Sequence, residues 1–142
     1  MALIVDIADA VVTELNAGTF SQTFRAARHY RPQFRLEEMK DLHVTVVPKG
    51  VEATTVSRSG VQYDISVDVA VQKKLEKETN TDLDPLMNLA EEIANFFRLR
   101  RLTQYPGASW LRSENDPAWS PGHLEELGQF TSVLTLTFRV VK

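Results

Sequence analysis

Cysteine does not occur in this chain. Its absence excludes disulfides, thiolate zinc sites and a cysteine nucleophile, and it fits a reducing compartment. No apolar run approaches the roughly 20 residues that a helix needs to cross a bilayer. The start, Met1-Ala2-Leu3-Ile4-Val5-Asp6, has no basic segment, and Asp6 and Asp9 interrupt its apolar residues, so no signal peptide is expected. Excess positive charge is missing too. The formal net charge of −3 argues against a general nucleic-acid binder and leaves only a local basic patch open.

Catalytic signatures are equally scarce. His29, His43 and His123 are the only histidines, and none stands in an HxH or HExxH arrangement, so no metal site is expected. There is no GxSxG elbow around Ser57 or Ser59, and no GxGxxG or GxxxxGK[ST] loop to cradle a phosphate. The acidic pairs Glu37-Glu38, Glu91-Glu92 and Glu125-Glu126 are adjacent residues. Adjacent residues on a helix do not face each other, so these pairs read as solvated faces. No catalytic residue and no cofactor are expected. Internal repeats and low-complexity tracts are absent.

What the chain does have is a two-residue beat. Tyr63, Ile65, Val67, Val69 and Val71 alternate with Asp64, Ser66, Asp68 and Ala70, which predicts a strand over 61–71 with one apolar and one polar face. Leu134, Leu136, Phe138 and Val140 alternate with Thr135, Thr137 and Arg139, predicting a second strand over about 130–141. A shorter one, Leu42-Val44-Val46, is expected to stop at the turn chemistry of Pro48-Lys49-Gly50. Val51 to Arg58 then extends the sheet or forms a mobile hairpin arm, and Ser57-Arg58-Ser59-Gly60 turns the chain. Phe20 to Ala27 is a further expected strand, and 36–41 a short turn or one helical turn. Such strands predict antiparallel pairing.

Helical spacing appears twice. Ile4, Ile7, Ala8, Val11 and Leu15 predict a helix over 2–16, stopped by Asn16 and Gly18. Leu86, Leu89, Ala90, Ile93 and Phe97 predict another over 84–102. Thr81 and Asp84 supply its capping-box spacing, Pro85 falls in its first turn, and Arg98, Arg100 and Arg101 complement its C-terminal dipole. The polar segment 72–82 reads as a solvated connection or a frayed helical turn. Thr103 to Gln129 holds Pro106-Gly107, Asp116-Pro117 and Pro121-Gly122 and is expected to be an irregular loop with a short helical piece at 123–127. At 142 residues, 43% hydrophobic and 25% charged, the whole chain is expected to be one α+β domain, residues 1–142.

Several features have two readings. Trp110 and Trp119 are either interface anchors or packing residues of their own domain. Asp64 and Asp68 stand on one strand face, as a solvent face or as the acidic lining of a channel. Arg25, Arg28 and Arg31 form a sparse basic run beside Tyr30.

The order of elements carries a resemblance. A helix, a strand ending in Val44-Thr45-Val46-Val47-Pro48, a polar arm with Arg58, the strand Tyr63 to Val71, the helix with Leu86, Leu89, Ile93 and Phe97, and the strand Thr131 to Val140 together resemble the tail terminator (tail completion) proteins of long-tailed bacteriophages. That resemblance implies an α/β sandwich, two main helices on a mainly antiparallel sheet. It implies a homo-oligomeric ring, a hexamer, that caps the tail tube protein, ends tube polymerisation and joins the head–tail connector protein. DNA would pass through the lumen without specific binding. The setting would be the virion neck, assembled in the host cytoplasm, with no membrane. Asp64 and Asp68 are the expected lumen-lining residues. Val51, Glu52, Thr54, Arg58, Trp110 and Trp119 are the expected subunit or axial contacts. The alternatives are another neck or tail component, such as a head–tail stopper or tube protein, or a small ligand-binding domain.

Overall fold

A computed structural model describes residues 2–31, 40–77 and 79–142. The chain runs through α1 (Leu3–Ala17), β1 (Ala26–Arg28), β2 (His43–Thr55), β3 (Val61–Lys74), α2 (Asn80–Phe97), β4 (Arg101–Leu102), β5 (Tyr105–Asn115), α3 (Pro121–Leu127) and β6 (Gln129–Val141). The α+β class expected from the pattern holds. The strands form one six-stranded sheet in the order β1-β2-β3-β6-β5-β4. The sheet is mixed: β1 joins β2 in parallel, and the other neighbours pair antiparallel.

The core lies on the apolar face of β3 and β6. Register sets Ile65 against Phe138, Val67 against Leu136 and Val69 against Leu134, and all six are essentially inaccessible. Against them lies α1, whose Ile7, Ala8, Val11 and Leu15 are buried as their spacing predicts. Helix α1 touches β1 at one margin of the sheet and β4 at the other. A flat sheet of six strands spans too far for one helix to touch both margins, so the sheet curls around α1.

Three polar contacts lock α1 in that curl. Arg28 of β1 meets Asp9 at 2.6 Å. The Asn16 side chain accepts from the Ala26 N–H at 2.8 Å and donates to the Ala26 carbonyl at 3.1 Å, standing where a further strand would pair. On the other side Glu14, its side chain only 5% exposed, accepts from the Thr103 N–H at 2.5 Å and from Arg100 at 3.3 Å. Burial pushes the Glu14 pKa up, but the Thr103 hydroxyl and N–H and the Arg100 guanidinium outweigh it, leaving the carboxyl below its ordinary value. Gly18 ends the helix where any Cβ would come within 2.9 Å of Phe20 and 3.0 Å of Phe96.

Several expected boundaries move. Helix α2 starts at Asn80 rather than 84, with Thr79 at its N-cap and the Thr79 hydroxyl donating to Asp82 at 2.8 Å, two residues before the expected Thr81–Asp84 box. Pro85 therefore lies inside the helix. It removes the hydrogen bond to the Thr81 carbonyl, a loss that is tolerable because Thr81 is exposed to solvent. The helix stops at Phe97, because Arg98 leaves the helical region and Leu99 takes a left-handed φ of 60°. Arg98, Arg100 and Arg101 thus follow the helix instead of completing it, although Arg100 Nε still donates back to the Phe96 carbonyl at 2.9 Å. Of the strand expected over 20–27, only its end survives in Ala26–Arg28. Phe20 instead stacks with Phe24 and Phe96, ring centroids 5.3 and 5.1 Å away. The polar connection expected from residue 72 begins only after Lys74, and Gln72 is buried in β3. The turn expected over 36–41 lies, through residue 39, outside the described residues.

The two larger corrections concern the sheet. Pro48-Lys49-Gly50 does not end a strand: β2 runs through it to Thr55, with a bulge between Pro48 and Gly50. The expected irregular loop 103–129 is mostly regular, with β5 paired to β6 and then α3. Ser120 caps α3 by accepting from the His123 N–H at 3.3 Å, and Gly128 closes it in the left-handed region.

Replacing Glu14 with Ala orphans the Thr103 N–H and frees Arg100, at an expected cost of about 2 kcal/mol, or roughly 5–10 °C in Tm by thermal unfolding. Because the folded pKa of Glu14 lies below its unfolded value of 4.5, its contribution is complete above that pH and is lost as pH falls through the folded value. The wild type should therefore lose Tm on acidification below about pH 4.5 more steeply than Glu14→Gln.

Candidate assembly interface

The polar face of the sheet is a side-chain ladder between β3 and β6. Arg139 donates to Asp64 through Nε at 2.9 Å and through Nη2 at 3.2 Å. The Ser66 and Thr137 hydroxyls lie 3.0 Å apart, and the Thr135 hydroxyl donates to Asp68 at 2.6 Å. Lys49 of the bulge reaches Asp68 at 3.8 Å. The Arg139 guanidinium holds the Asp64 carboxyl below the usual carboxylate range, against the opposing effect of burial. The two expected lining residues thus share one face, each with a cation beside it. Arg112 of β5 and Glu52 of β2 join Asp64 and Lys49 around a shallow depression there. Positive and negative groups are mixed on this face, which is not a uniformly acidic one.

The arm is exposed along its whole length. All nine residues from Val51 to Ser59 are exposed, although β2 and β3 stay paired out to Thr55 and Val61. Of the two readings of 51–58, extension of the sheet is the one the fold adopts. Val56 N–H donates to the Gly60 carbonyl at 3.1 Å and closes the tip, where Arg58 sits. A Cβ at Gly60 would stand 2.9 Å from the Ser57 hydroxyl, so a larger residue there requires that side chain to turn away. Val51, Glu52, Thr54 and Arg58 all belong to this arm.

The direction of each backbone group in the arm follows from one pair of bonds. Val61 exchanges hydrogen bonds with Lys142, at 2.9 and 3.0 Å, so its groups point to β6 and away from β2. Antiparallel ladders alternate. The partners of Val61, Ile65, Val67 and Val69 in β2, namely Thr55, Val51, Pro48 and Val46, therefore point outward. Val46 confirms the phase, since its carbonyl accepts from the His29 N–H beyond the sheet margin at 3.0 Å. Pro48, lacking an N–H, falls on the outward side and removes nothing from the β2–β3 ladder. Strand β1 covers β2 only from Val44 to Val46. Among the described residues, the outward groups of Val51, Ala53 and Thr55 have no partner strand.

Among the described residues, the opposite margin is open as well. Strand β4 covers β5 only as far as Ser109. Beyond it, the pairs Ser109–Arg139, Arg112–Thr137 and Glu114–Thr135 turn inward to β6, so Ser113 and Asn115 point their backbone groups outward.

The two tryptophans part company. Trp110 lies opposite Phe138, packs against the core and donates through Nε1 to the Ser113 hydroxyl at 2.9 Å. Trp119 is 45% exposed and walls a cleft of about 310 Å³ with Leu83, Met87, Leu124 and Phe130. Among the described residues, no group of three or more His, Asp or Glu is placed to hold a metal ion, and no helix is long and apolar enough to cross a membrane.

The phase of the ladder has a direct check. Thr54→Pro removes an inward N–H from the β2–β3 ladder and should lower Tm by several degrees, on the scale of about 1 kcal/mol for one lost hydrogen bond. Ala53→Pro removes an outward N–H and should leave Tm within about 2 °C. No family model matches this chain, and no curated protein matches it.

Proposed function

We propose that this protein works by assembly: copies join into a closed ring that caps a phage tail tube, ends its polymerisation and joins the tail to the head connector. The observation that carries the reading is the arm, a sheet extension exposed along its length with an unpaired outer margin. Natural monomers blunt such margins, because an unpaired strand is a template for another chain. This chain blunts β1 with Asn16 and, among the described residues, leaves the adjoining stretch of β2 without a partner strand.

Cyclic assemblies use two different patches on each subunit, and the ring closes when the rotation between copies does. The open margins of β2 and β5 at opposite sides of one sheet are two such patches. In this reading the fold is the α/β sandwich of a tail terminator, with the polar face of β3 and β6 toward the lumen. Paired charges such as Asp64–Arg139 and Asp68–Lys49 present little net field to a passing phosphate backbone, which suits passage of DNA without specific binding. No turnover of a substrate is part of this function, and the setting is the virion neck.

Electron microscopy of the purified protein, alone and with isolated tail tubes, tests the proposal. Single rings of uniform size, seated at tube ends, are the expected result. Long filaments would instead identify a tube protein. A particle that stays a lone unit under both conditions, while binding a small molecule in the Trp119 cleft, would favour the ligand-binding alternative.

A further inference from the structure

Resting on the ring reading, we infer that the partner of the β2 arm is the outer margin of β5 in a second copy of this chain, paired antiparallel with Val51 opposite Ser113. Strand direction supports the match. Each step from β2 through β3 and β6 to β5 reverses the chain, so β5 runs antiparallel to β2. A neighbour related by rotation about a ring axis, with its sheet continuing the first, therefore offers its β2 antiparallel to β5.

Phase narrows the register. In antiparallel strands, residues directly opposite must share a sheet face and must both aim their backbone groups at each other or both away. Val51 and Ser113 meet both conditions: each points outward, and each stands on the core side, opposite Ile65 and Leu136 respectively.

Charge then selects among the registers that phase allows. Setting Val51 against Ser113 brings Glu52 opposite Arg112 and Glu114 beside the Lys49–Gly50 bulge. A slip of two residues sets Ala53 against Ser113 and forces Glu52 onto Glu114, like charge on like. Within one subunit Glu52 stands opposite Asp64, like charge on like, and Lys49 and Arg112 share a depression with it without pairing to it. Glu52, Arg112 and Glu114 are all exposed, and none forms an ion pair among the described residues.

The chain has no cysteine, which allows a clean cross-linking test. The Glu52→Cys/Arg112→Cys double variant should form intersubunit disulfides on mild oxidation and give a covalent ladder up to the ring number on non-reducing gels. Glu52→Cys alone should give no species above a dimer. In parallel, Glu52→Arg and Arg112→Glu should each raise the concentration needed for ring formation by roughly fivefold to tenfold, and the double swap should return it to within about threefold of wild type. Unchanged monomer melting curves would show that the variants fold. If wild type forms rings while the cysteine pair gives no ladder and the swaps have no effect, this junction is wrong and the ring reading stands. If wild type forms no ring with or without tube ends, both fall together.

Discussion

The structure depends on keeping α1 inside a curled sheet. A helix with one apolar stripe needs a partner for that stripe only, yet α1 contacts strands at both margins. Its polar side is therefore also close to protein, and the Glu14 carboxylate is the group that makes this tenable. A buried carboxylate without donors is strongly disfavoured. With the Thr103 N–H and Arg100 supplied by the turn between α2 and β5, it becomes a clamp holding the far margin of the sheet against the helix. Asn16 and Asp9 do the same at the near margin. Together they fix the curvature, and curvature decides where the two open margins of the sheet face.

Legibility in the sequence followed periodicity. β3, β6 and α1 announced themselves because one face of each is apolar at the right repeat, and the stripe Leu86–Phe97 marked the body of α2. Where a bulge interrupts the beat, the signal fails. Pro48-Lys49-Gly50 has turn chemistry, but the same residues fit a bulge whose proline faces away from the ladder. β5 was hidden for a similar reason. Its register shifts between Trp110 and Arg112, and beyond the shift its core-side residues are Ser113 and Asn115, which carry no apolar signature. The start of α2 was misplaced because proline is common in a first turn, while here an exposed carbonyl tolerates it six residues in.

The candidate interface was partly legible. The exposed character of 51–58 was plain in its polar composition, and it holds for Val51, Glu52, Thr54 and Arg58. The neutralisation of Asp64 was not readable, because Arg139 lies 75 residues away and becomes a neighbour only through strand order. The outward set Val51, Ala53 and Thr55 was also hidden. It depends on hydrogen-bond phase, which side-chain pattern does not encode. Of the tryptophans, Trp110 serves the core and Trp119 opens onto a cleft, a division set by register rather than residue type.

Pro48 has a consequence for how any neighbouring strand is admitted. Lying on the outer side with no amide hydrogen, and followed at once by the bulge, it is a stop that an incoming backbone cannot zip past. Only the short span from Val51 to Thr55 remains to engage. So brief a seam is weak by itself, and it gains strength when several seams close around a circle together. In the ring proposed above, a subunit made this way would stay dispersed while scarce and commit abruptly once a template gathers its fellows.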